Sequence, residues 1–396
     1  MSNKEFLSYG KQWLDEADIE AIVEVLRSDF IVQGPKIEEF ENKICEVTNA
    51  KHCVVVSNAT AALQISMAAL DIEPGSEGIT TPITFVATSN TMIYAGLKPV
   101  FVDVGRDTHN IDPNLIRENI SQRTRLIVPV HYAGQSADME VIHQIAKEYG
   151  LYVIEDAAHA IGSRYSDGTP VGNCKYSDLT IFSFHPVKTI TTGQGGAITT
   201  NNTELHERLK QLRNHGITNQ SERFINKDEV GPWYYEMQYL SFNFRMTDIQ
   251  AALGISQLNK LNLFVERRRN IVEQYNRAFK SANFIDIPIE RESVYSAFHL
   301  YSPEFDFNVI GKSRKIVMQE LKERSIGTQV LYIPVHLQPY YRKQYGYSEG
   351  DFVEAERFYS RTLSLPLYPK LTDEQVNYVI DNVYEVMTGE TLLVDY

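Results

Sequence analysis

Apolar side chains recur along the first half of the chain at two different spacings. Over residues 19–26 they lie three and four positions apart, and residues 37–44 repeat this spacing, which predicts two amphipathic helices. Short, nearly continuous apolar runs follow, and most are separated by helix-like segments such as residues 140–149. Strands of this kind are typical of a mostly parallel sheet covered on both faces. The runs are residues 53–56, 99–102, 126–130, 151–154 and 179–182.

The pattern changes near residue 260. Thr247 and Gln250 have the spacing of a capping box that opens a helix through about residue 261, and a charged helix is predicted over 265–279. Beyond it, the turn-rich stretches 288–303 and 332–347 separate fewer elements. We therefore predict an α/β protein with a large domain over residues 1–260, including an N-terminal arm, and a smaller α+β domain over 261–396.

Composition narrows the class of protein. The 396 residues have a formal net charge of −13, which argues against nucleic acid as the main partner. The N-terminal residues lack the apolar core of a secretory signal, and no apolar run of about 20 residues predicts a membrane span. Three cysteines without Cys-x-x-Cys spacing are consistent with reduced thiols. We expect a cytoplasmic globular protein.

Asp156 and the segment Ser57-Asn58-Ala59-Thr60 both follow predicted strands. Open α/β sheets bind ligands at the carboxyl ends of their strands, so Asp156 is a candidate for holding a cofactor's ring nitrogen protonated. A helix-capping role for this aspartate is equally compatible with its position. The Ser57–Thr60 turn precedes a predicted helix and offers backbone N–H groups to a phosphate, although an ordinary N-cap has the same composition.

Lys188 follows the strand-like segment Asp178–Phe184 and precedes the glycine cluster Gly193, Gly195 and Gly196. A desolvated lysine here would be a nucleophile toward a carbonyl group, and Ser183 on the same strand end would reach a phosphate. The alternative is a solvated loop lysine. The glycine cluster does not complete Gly-x-Gly-x-x-Gly, which counts against a dinucleotide-binding dehydrogenase.

Aromatic and histidine side chains offer further candidates. Phe85 follows another strand end, where an aromatic ring would stack on a cofactor, but its spacing favours a core phenylalanine. His131, His159 and His185 each follow a strand. Metal-binding spacings such as His-Glu-x-x-His are missing from the sequence, so we predict no metal site.

Six motifs together give the chain a resemblance to a known family. They are SNATAAL, TPITFVAT, EDAAHA, FSFHPVK, TTGQGG and FNFRMTDIQAALG. With them the sequence resembles the DegT/DnrJ/EryC1/StrS sugar aminotransferases, from about Tyr9 into the C-terminal domain. The resemblance implies the fold of aspartate aminotransferase (fold type I) and pyridoxal 5'-phosphate (PLP) as cofactor.

The resemblance also implies a role for each matching residue. Lys188 would bind PLP as a Schiff base and later act as general acid and base, with Asp156 on the pyridine nitrogen and His159 near the ring and its phenolic oxygen. The other cofactor contacts would come from Ala59, Thr60, Phe85, Ser183 and Asn243. Asn243 would reach the phosphate of the partner subunit, which implies a homodimer with shared active sites. We also expect substrate contacts from His185, Arg245 and His336.

Within the family, SFHPVKTITT and the segment Tyr332–Tyr341 resemble transaminases that lead toward pseudaminic acid. The resemblance implies transfer of the amino group of L-glutamate to C4 of a UDP-linked 4-keto-6-deoxy-N-acetyl hexose. Gln194 and Leu331 depart from the expected Glu and His, which leaves other UDP-, dTDP- or GDP-linked keto sugars open. A 3-dehydratase is disfavoured because Lys188 is present, and a non-catalytic PLP-fold sensor is a further alternative.

Overall fold

A seven-stranded sheet forms the centre of the larger part of the molecule. The computed structural model describes residues 5–226 and 231–390. The spatial order of the sheet is β1-β7-β6-β5-β4-β2-β3, and all strands are parallel except β7, which pairs antiparallel with both β1 and β6. The strands are β1 His52–Val56, β2 Glu77–Thr80, β3 Lys98–Phe101, β4 Thr124–Val128, β5 Tyr152–Asp156, β6 Leu179–Ser183 and β7 Gly196–Thr200.

Helices cover both faces of this sheet. Two apolar clusters, one containing Phe182 and Phe184 and the other containing Ile154 and Ile181, fill the space between sheet and helices. This arrangement confirms the predicted mostly parallel α/β sheet. Strand β2 was expected only as the strand end before Phe85, and the antiparallel β7 was not predicted. The helices are α1 Glu16–Leu26, α2 Pro35–Thr48, α3 Ala59–Leu70, α4 Ala87–Tyr94, α5 Pro113–Ile116, α6 Met139–Tyr149, α7 Thr203–Arg213 and α8 Asp248–Leu258.

The capping box predicted at Thr247 and Gln250 is present at the start of α8. Gln250 N–H donates to Thr247 Oγ1 at 3.2 Å, and the Gln250 side chain returns to the Thr247 backbone. Because these bonds satisfy amides that the first helical turn leaves open, they fix the start of α8. The next helix begins at Leu261, four residues before the predicted start at residue 265.

A separate apolar core lies after α8 and includes Ile271, Tyr301, Phe305 and Val383. The predicted turn-rich stretch 332–347 is wrong in part, because it contains a helix that begins at Pro339. The domain division near residue 260 stays a prediction. The elements of this region are α9 Leu261–Phe279, β10 Ile285–Asp286, β11 Glu304–Phe305, α10 Phe307–Ile310, α11 Arg314–Glu323, α12 Pro339–Tyr345, α13 Val353–Arg361 and α14 Asp373–Thr388.

Two further features position the site. The N-terminal segment crosses to the smaller core, where Leu7 is buried and bridges Ile326. A small two-stranded sheet, β8 Ile217–Thr218 with β9 Glu236–Met237, stands apart from the central sheet.

Within the described ranges 5–226 and 231–390, the helices are too short or too polar to cross a membrane.

Candidate active site

The carboxyl ends of β1, β5 and β6 open into one cavity of about 680 Å³. Leu331 and Tyr332, from the region after α11, and Tyr9, from the N-terminal segment, line it as well. The cavity therefore combines side chains from distant parts of the sequence. The predicted site residues that line it are Ala59, Thr60, Phe85, Asp156, His159, Ser183, His185 and Lys188.

Lys188 lies in the loop after β6, where its backbone N–H donates to the His185 carbonyl at 2.9 Å. Its Nζ lies 3.5 Å from Nε2 of His299. Burial lowers the pKa of Lys188 to about 8, with Asp156 opposing this shift and Arg268 adding to it. A large fraction of the side chain is thus neutral near pH 8, the form in which an amine attacks a carbonyl.

Asp156 ends β5 and is 6% exposed. Its Oδ2 accepts a 2.7 Å hydrogen bond from Thr88 Oγ1, and its Oδ1 accepts a 3.2 Å bond from the Ala158 N–H. Burial raises the pKa of Asp156, while the bonds from Thr88 and Ala158 and the charge of Lys188 lower it. These two hydrogen bonds fix the orientation of the carboxylate.

The turn between β1 and α3 presents a helix N-terminus to the cavity. Asn58 caps α3, since its Oδ1 accepts a 2.8 Å hydrogen bond from the Ala61 N–H. A Cβ on Gly196 of β7 would lie 2.8 Å from the Ala59 nitrogen, so only glycine allows this close approach. Ser183 Oγ stands at the end of β6, 3.5 Å from the His185 N–H. The arrangement suits an anion.

His159 is fixed by bonds on both ring nitrogens. Its Nδ1 accepts from the Ala133 N–H at 3.3 Å, which places the proton on Nε2, where it donates to the Tyr332 hydroxyl at 3.0 Å. Burial and the charge of Lys188 lower the pKa of His159 well below its usual range. A neutral, oriented imidazole therefore faces the cavity.

Phe85 is 58% exposed, so the interpretation of this residue as core is wrong. Its ring lies beside that of Tyr332, with centroids 6.2 Å apart. An apolar ring left open in a cavity is available for stacking on a planar ligand.

Three predicted residues lie outside the cavity lining. The backbone of Asn243 forms an isolated antiparallel β-bridge with Asn214, and the Asn243 Oδ1 accepts a hydrogen bond from the Arg245 N–H. Arg245 lines a second cavity of about 530 Å³ beside β1. His336 is fully buried, with Nε2 at 2.9 Å from Glu356, so its geometry offers no direct contact with a ligand in the active-site cavity.

Sequence reasoning missed Tyr9, Thr88, Tyr332 and His299 as functional candidates. Thr88 belongs to TPITFVAT, and its place one helical turn after Phe85 was the available indication. Tyr332 begins the segment 332–341 that carries the closer resemblance, and this was the available indication for it. Nothing in the local pattern around Tyr9 and His299 pointed to the cavity, because they come from irregular segments.

His131 has a structural role in place of metal binding. His131 Nδ1 accepts from the Ala137 N–H at 3.0 Å, and its Nε2 donates to the buried Glu155 at 2.7 Å. Within residues 5–226 and 231–390, no group of three or more His, Cys, Asp or Glu side chains is arranged to hold a metal ion.

The model of the DegT/DnrJ/EryC1/StrS aminotransferase family matches residues 12–384 of the chain. The chain belongs to this family. It is a PLP-dependent sugar aminotransferase of fold type I.

Two solved structures and one curated relative illustrate the similarity. Helicobacter pylori PseC, an aminotransferase involved in the biosynthesis of pseudoaminic acid, is 33% identical with a TM-score of 0.90, over 98% of this chain and 100% of that one. The PLP form of Spr1654 from Streptococcus pneumoniae is 30% identical with a TM-score of 0.87, over 97% of this chain and 99% of that one. The spore coat polysaccharide biosynthesis protein SpsC of Bacillus subtilis is 40% identical over 97% of this chain and 98% of its own length.

The cavity fits the cofactor of the family. The Asp156 carboxylate and the Lys188 amine line it, and so do Ala59 and Thr60 at the N-terminus of α3, which Gly196 approaches closely. Each functional part of PLP has a matching group there. The carboxylate suits the protonated ring nitrogen, the amine suits the aldehyde, and the helix N-terminus suits the phosphate.

Proposed function

We propose that the chain transfers the amino group of L-glutamate to C4 of a UDP-linked 4-keto-6-deoxy-N-acetyl hexose, a step toward pseudaminic acid. The observation that supports the aminotransferase site is the shared cavity of Lys188 and Asp156, with a lysine pKa of about 8. The choice of sugar is supported by the similarity to PseC, whose description names pseudoaminic acid. The description of SpsC names polysaccharide biosynthesis, which supports a sugar substrate without specifying which sugar.

The proposed residue roles follow from position. Asp156 would hold the ring nitrogen, the N-terminus of α3 at Ala59 and Thr60 together with Ser183 would hold the phosphate, and Phe85 would stack on the ring. When bound, the cofactor supplies an electron-withdrawing ring that accepts the electron pair left at a carbon atom losing its proton. Lys188 Nζ would take up that proton and return it, because its lowered pKa lets it act as base and acid near neutral pH.

Water exclusion would come from the region after α11. Tyr332 lines the cavity and is held by the Nε2–H of His159. Burial raises the pKa of Tyr332, so its hydroxyl stays protonated and can donate to an oxygen atom of cofactor or substrate. His185, exposed at the cavity edge, and the neutral side chain of Gln194 are the proposed contacts for the nucleotide-linked part of the substrate.

We also propose that two copies share their active sites. Asn243 does not line the cavity of its own chain, and the segment before it exposes large apolar side chains. Exposed apolar surface of this kind is typical of a protein–protein contact. The residues are Ile225, Trp233, Tyr235, Met237, Leu240 and Phe242.

A substrate panel tests the proposed function. The purified protein, loaded with PLP and supplied with glutamate, is offered UDP-, dTDP- and GDP-linked 4-keto-6-deoxy sugars, and products are identified by mass spectrometry. We expect 2-oxoglutarate and an amino sugar from the UDP-linked N-acetyl hexose, with Lys188→Ala as the inactive control. Equal or faster turnover of a dTDP- or GDP-linked sugar would overturn the substrate assignment and leave the sugar aminotransferase activity in place.

A further inference from the structure

His299 is a buried basic side chain within hydrogen-bond distance of the Lys188 amine. Its Nε2 lies 3.5 Å from Lys188 Nζ, and its ring packs against His159 with centroids 4.4 Å apart. His299 is 3% exposed and lies two residues before Tyr301, which belongs to the separate apolar core after α8. Neither the motifs nor the cavity lining includes it.

Two positively charged side chains act on this imidazole. Lys188 faces Nε2, and the buried Arg268 guanidinium donates to the His299 carbonyl at 3.1 Å and to the Leu367 carbonyl at 2.9 Å. The other titratable neighbours are His159 and His185, while the Asp156 carboxylate acts on Lys188. Burial, followed by the charges of Lys188 and Arg268, lowers the pKa of His299 well below its usual range. The ring is therefore neutral.

A neutral imidazole has one lone pair and one N–H, whereas a lysine ammonium has donors only. When Lys188 is protonated, Nε2 of His299 must be the acceptor and Nδ1 must hold the proton. That Nδ1 is buried, with no hydrogen-bond partner among the residues that the structure describes. An unpaired buried N–H is destabilising, so packing alone does not explain a histidine here.

We propose that His299 is a positioning residue that accepts a hydrogen bond from Lys188 and holds the amino group at the cavity whenever it is free of the cofactor. This inference rests on the proposed role of Lys188. The proton balance is simple: the proton that Nζ takes from a substrate carbon stays on Nζ until it returns to substrate. His299 orients that proton and does not remove it.

A matched pair of variants separates positioning from packing. In His299→Gln the side-chain amide oxygen reaches the place of Nε2, whereas in His299→Asn it reaches only the place of Nδ1. His143→Gln is the control, since His143 bonds the Tyr176 carbonyl outside the cavity. The apo-protein is labelled with acetic anhydride between pH 6 and 10, and the rate at Lys188 is followed by mass spectrometry. The kcat and KM of the loaded enzyme are measured in parallel.

We expect half-maximal labelling of wild-type Lys188 near pH 8. In His299→Asn the midpoint should fall by about one pH unit, because the ammonium loses an acceptor, and kcat should fall about 10-fold with little change in KM. His299→Gln should restore both. An unchanged midpoint in His299→Asn, or equal losses in the Gln and Asn variants, would overturn the proposal. Borohydride reduction that fixes the cofactor on another lysine would instead overturn the proposed role of Lys188.

Discussion

Thr88 Oγ1 donates a 2.7 Å hydrogen bond to Oδ2 of Asp156, and the same hydroxyl lies 2.8 Å from Thr84 Oγ1. This bond joins the start of α4 to the end of β5 and turns the carboxylate toward the cavity. Because charged acceptors form the stronger hydrogen bonds, it also favours the ionised carboxylate that a protonated ring nitrogen requires.

The Asp156–Thr88 hydrogen bond therefore predicts a large loss of activity when Asp156 is changed and a smaller loss when Thr88 is changed. Asp156→Asn should lower kcat by about 10²–10³-fold, since an amide cannot balance a cationic ring nitrogen. Thr88→Val should lower kcat less, by about 10-fold, because the carboxylate remains and loses one donor. Steady-state kinetics check both values, and Asp178→Asn, which alters a carboxylate bonded to the Val153 N–H outside the cavity, is the control. Full activity in Asp156→Asn would refute the assigned role.

Lys188→Ala should abolish covalent cofactor binding. Wild-type protein with added PLP is expected to show a visible absorption band and, after borohydride reduction, a mass increase on the peptide containing Lys188. Lys175→Ala provides a matched control, because Lys175 is exposed and paired with Asp167 at 2.5 Å. A band and a reduced adduct that persist in Lys188→Ala would contradict the prediction.

The lowered pKa of Lys188 also affects stability. The folded value of about 8 lies below the ordinary 10.5, so below pH 8 folding must bury an ammonium. That cost is full below pH 8 and disappears as the pH rises from 8 to 10.5. Lys188→Met should therefore stabilise the apo-protein by about 1–3 kcal/mol at pH 7 and by little at pH 10.5. Urea unfolding at the two pH values measures this, and a gain that grows with pH would contradict the sign.

Gly196→Ala should weaken cofactor binding. The added Cβ would lie 2.7 Å from the Asn58 carbonyl carbon and 2.8 Å from the Ala59 nitrogen, which displaces the turn at the N-terminus of α3. We expect the Kd for PLP to rise at least about 10-fold, since the amides no longer converge on one anion. Gly105→Ala is the control, because its nearest contact would be Thr108 Oγ1 at 3.5 Å. Spectroscopic titration measures both, and equal affinities would refute the prediction.

Mixed subunits test the sharing of active sites. If Asn243 acts on the partner subunit, a heterodimer of Lys188→Ala and Asn243→Ala has one intact site. Random mixing of the two inactive proteins should then restore about a quarter of wild-type activity. If Asn243 acts within its own chain, both sites of the heterodimer remain defective and activity does not recover. Sedimentation measured on the same mixture establishes that dimers have formed.

The sequence was informative where a strand end places a side chain directly. Asp156, Ser183 and Lys188 follow continuous apolar runs, so their convergence at one sheet edge was predictable. The antiparallel β7 was missed because Gly195 and Gly196 break its apolar pattern, although Gly196 is needed by the neighbouring turn. In the sequence, a glycine pair predicts a loop. The folded sheet shows that β7 begins with Gly196 because a side chain there would collide with the turn before α3.

The rest of the cavity depends on distant segments that fold back. His299 and Tyr332 lie in stretches without helical or alternating spacing, and their contacts with Lys188 and His159 join residues more than 100 positions apart. Phe85 shows the opposite difficulty, since its spacing fits a core residue and its ring is open to the cavity. Periodicity reports which face of an element is apolar and does not report whether a ligand is to cover it.

Tyr9 lines the cavity, and its carbonyl accepts a 3.0 Å hydrogen bond from the Leu367 N–H, while Tyr332 lines the cavity beside His159 and His299 contacts Lys188 from outside the lining. During synthesis, Tyr9, Asp156 and Lys188 leave the ribosome long before these partners do. A nascent chain that ends before residue 299 already contains the reactive lysine and most of the cavity lining, but it lacks His299, Leu331 and Tyr332. With that side of the lysine open to solvent, burial would lower its pKa less than in the complete fold. The lysine thus reaches its full desolvation only after the segments that carry His299 and Tyr332 have been made and have folded against it.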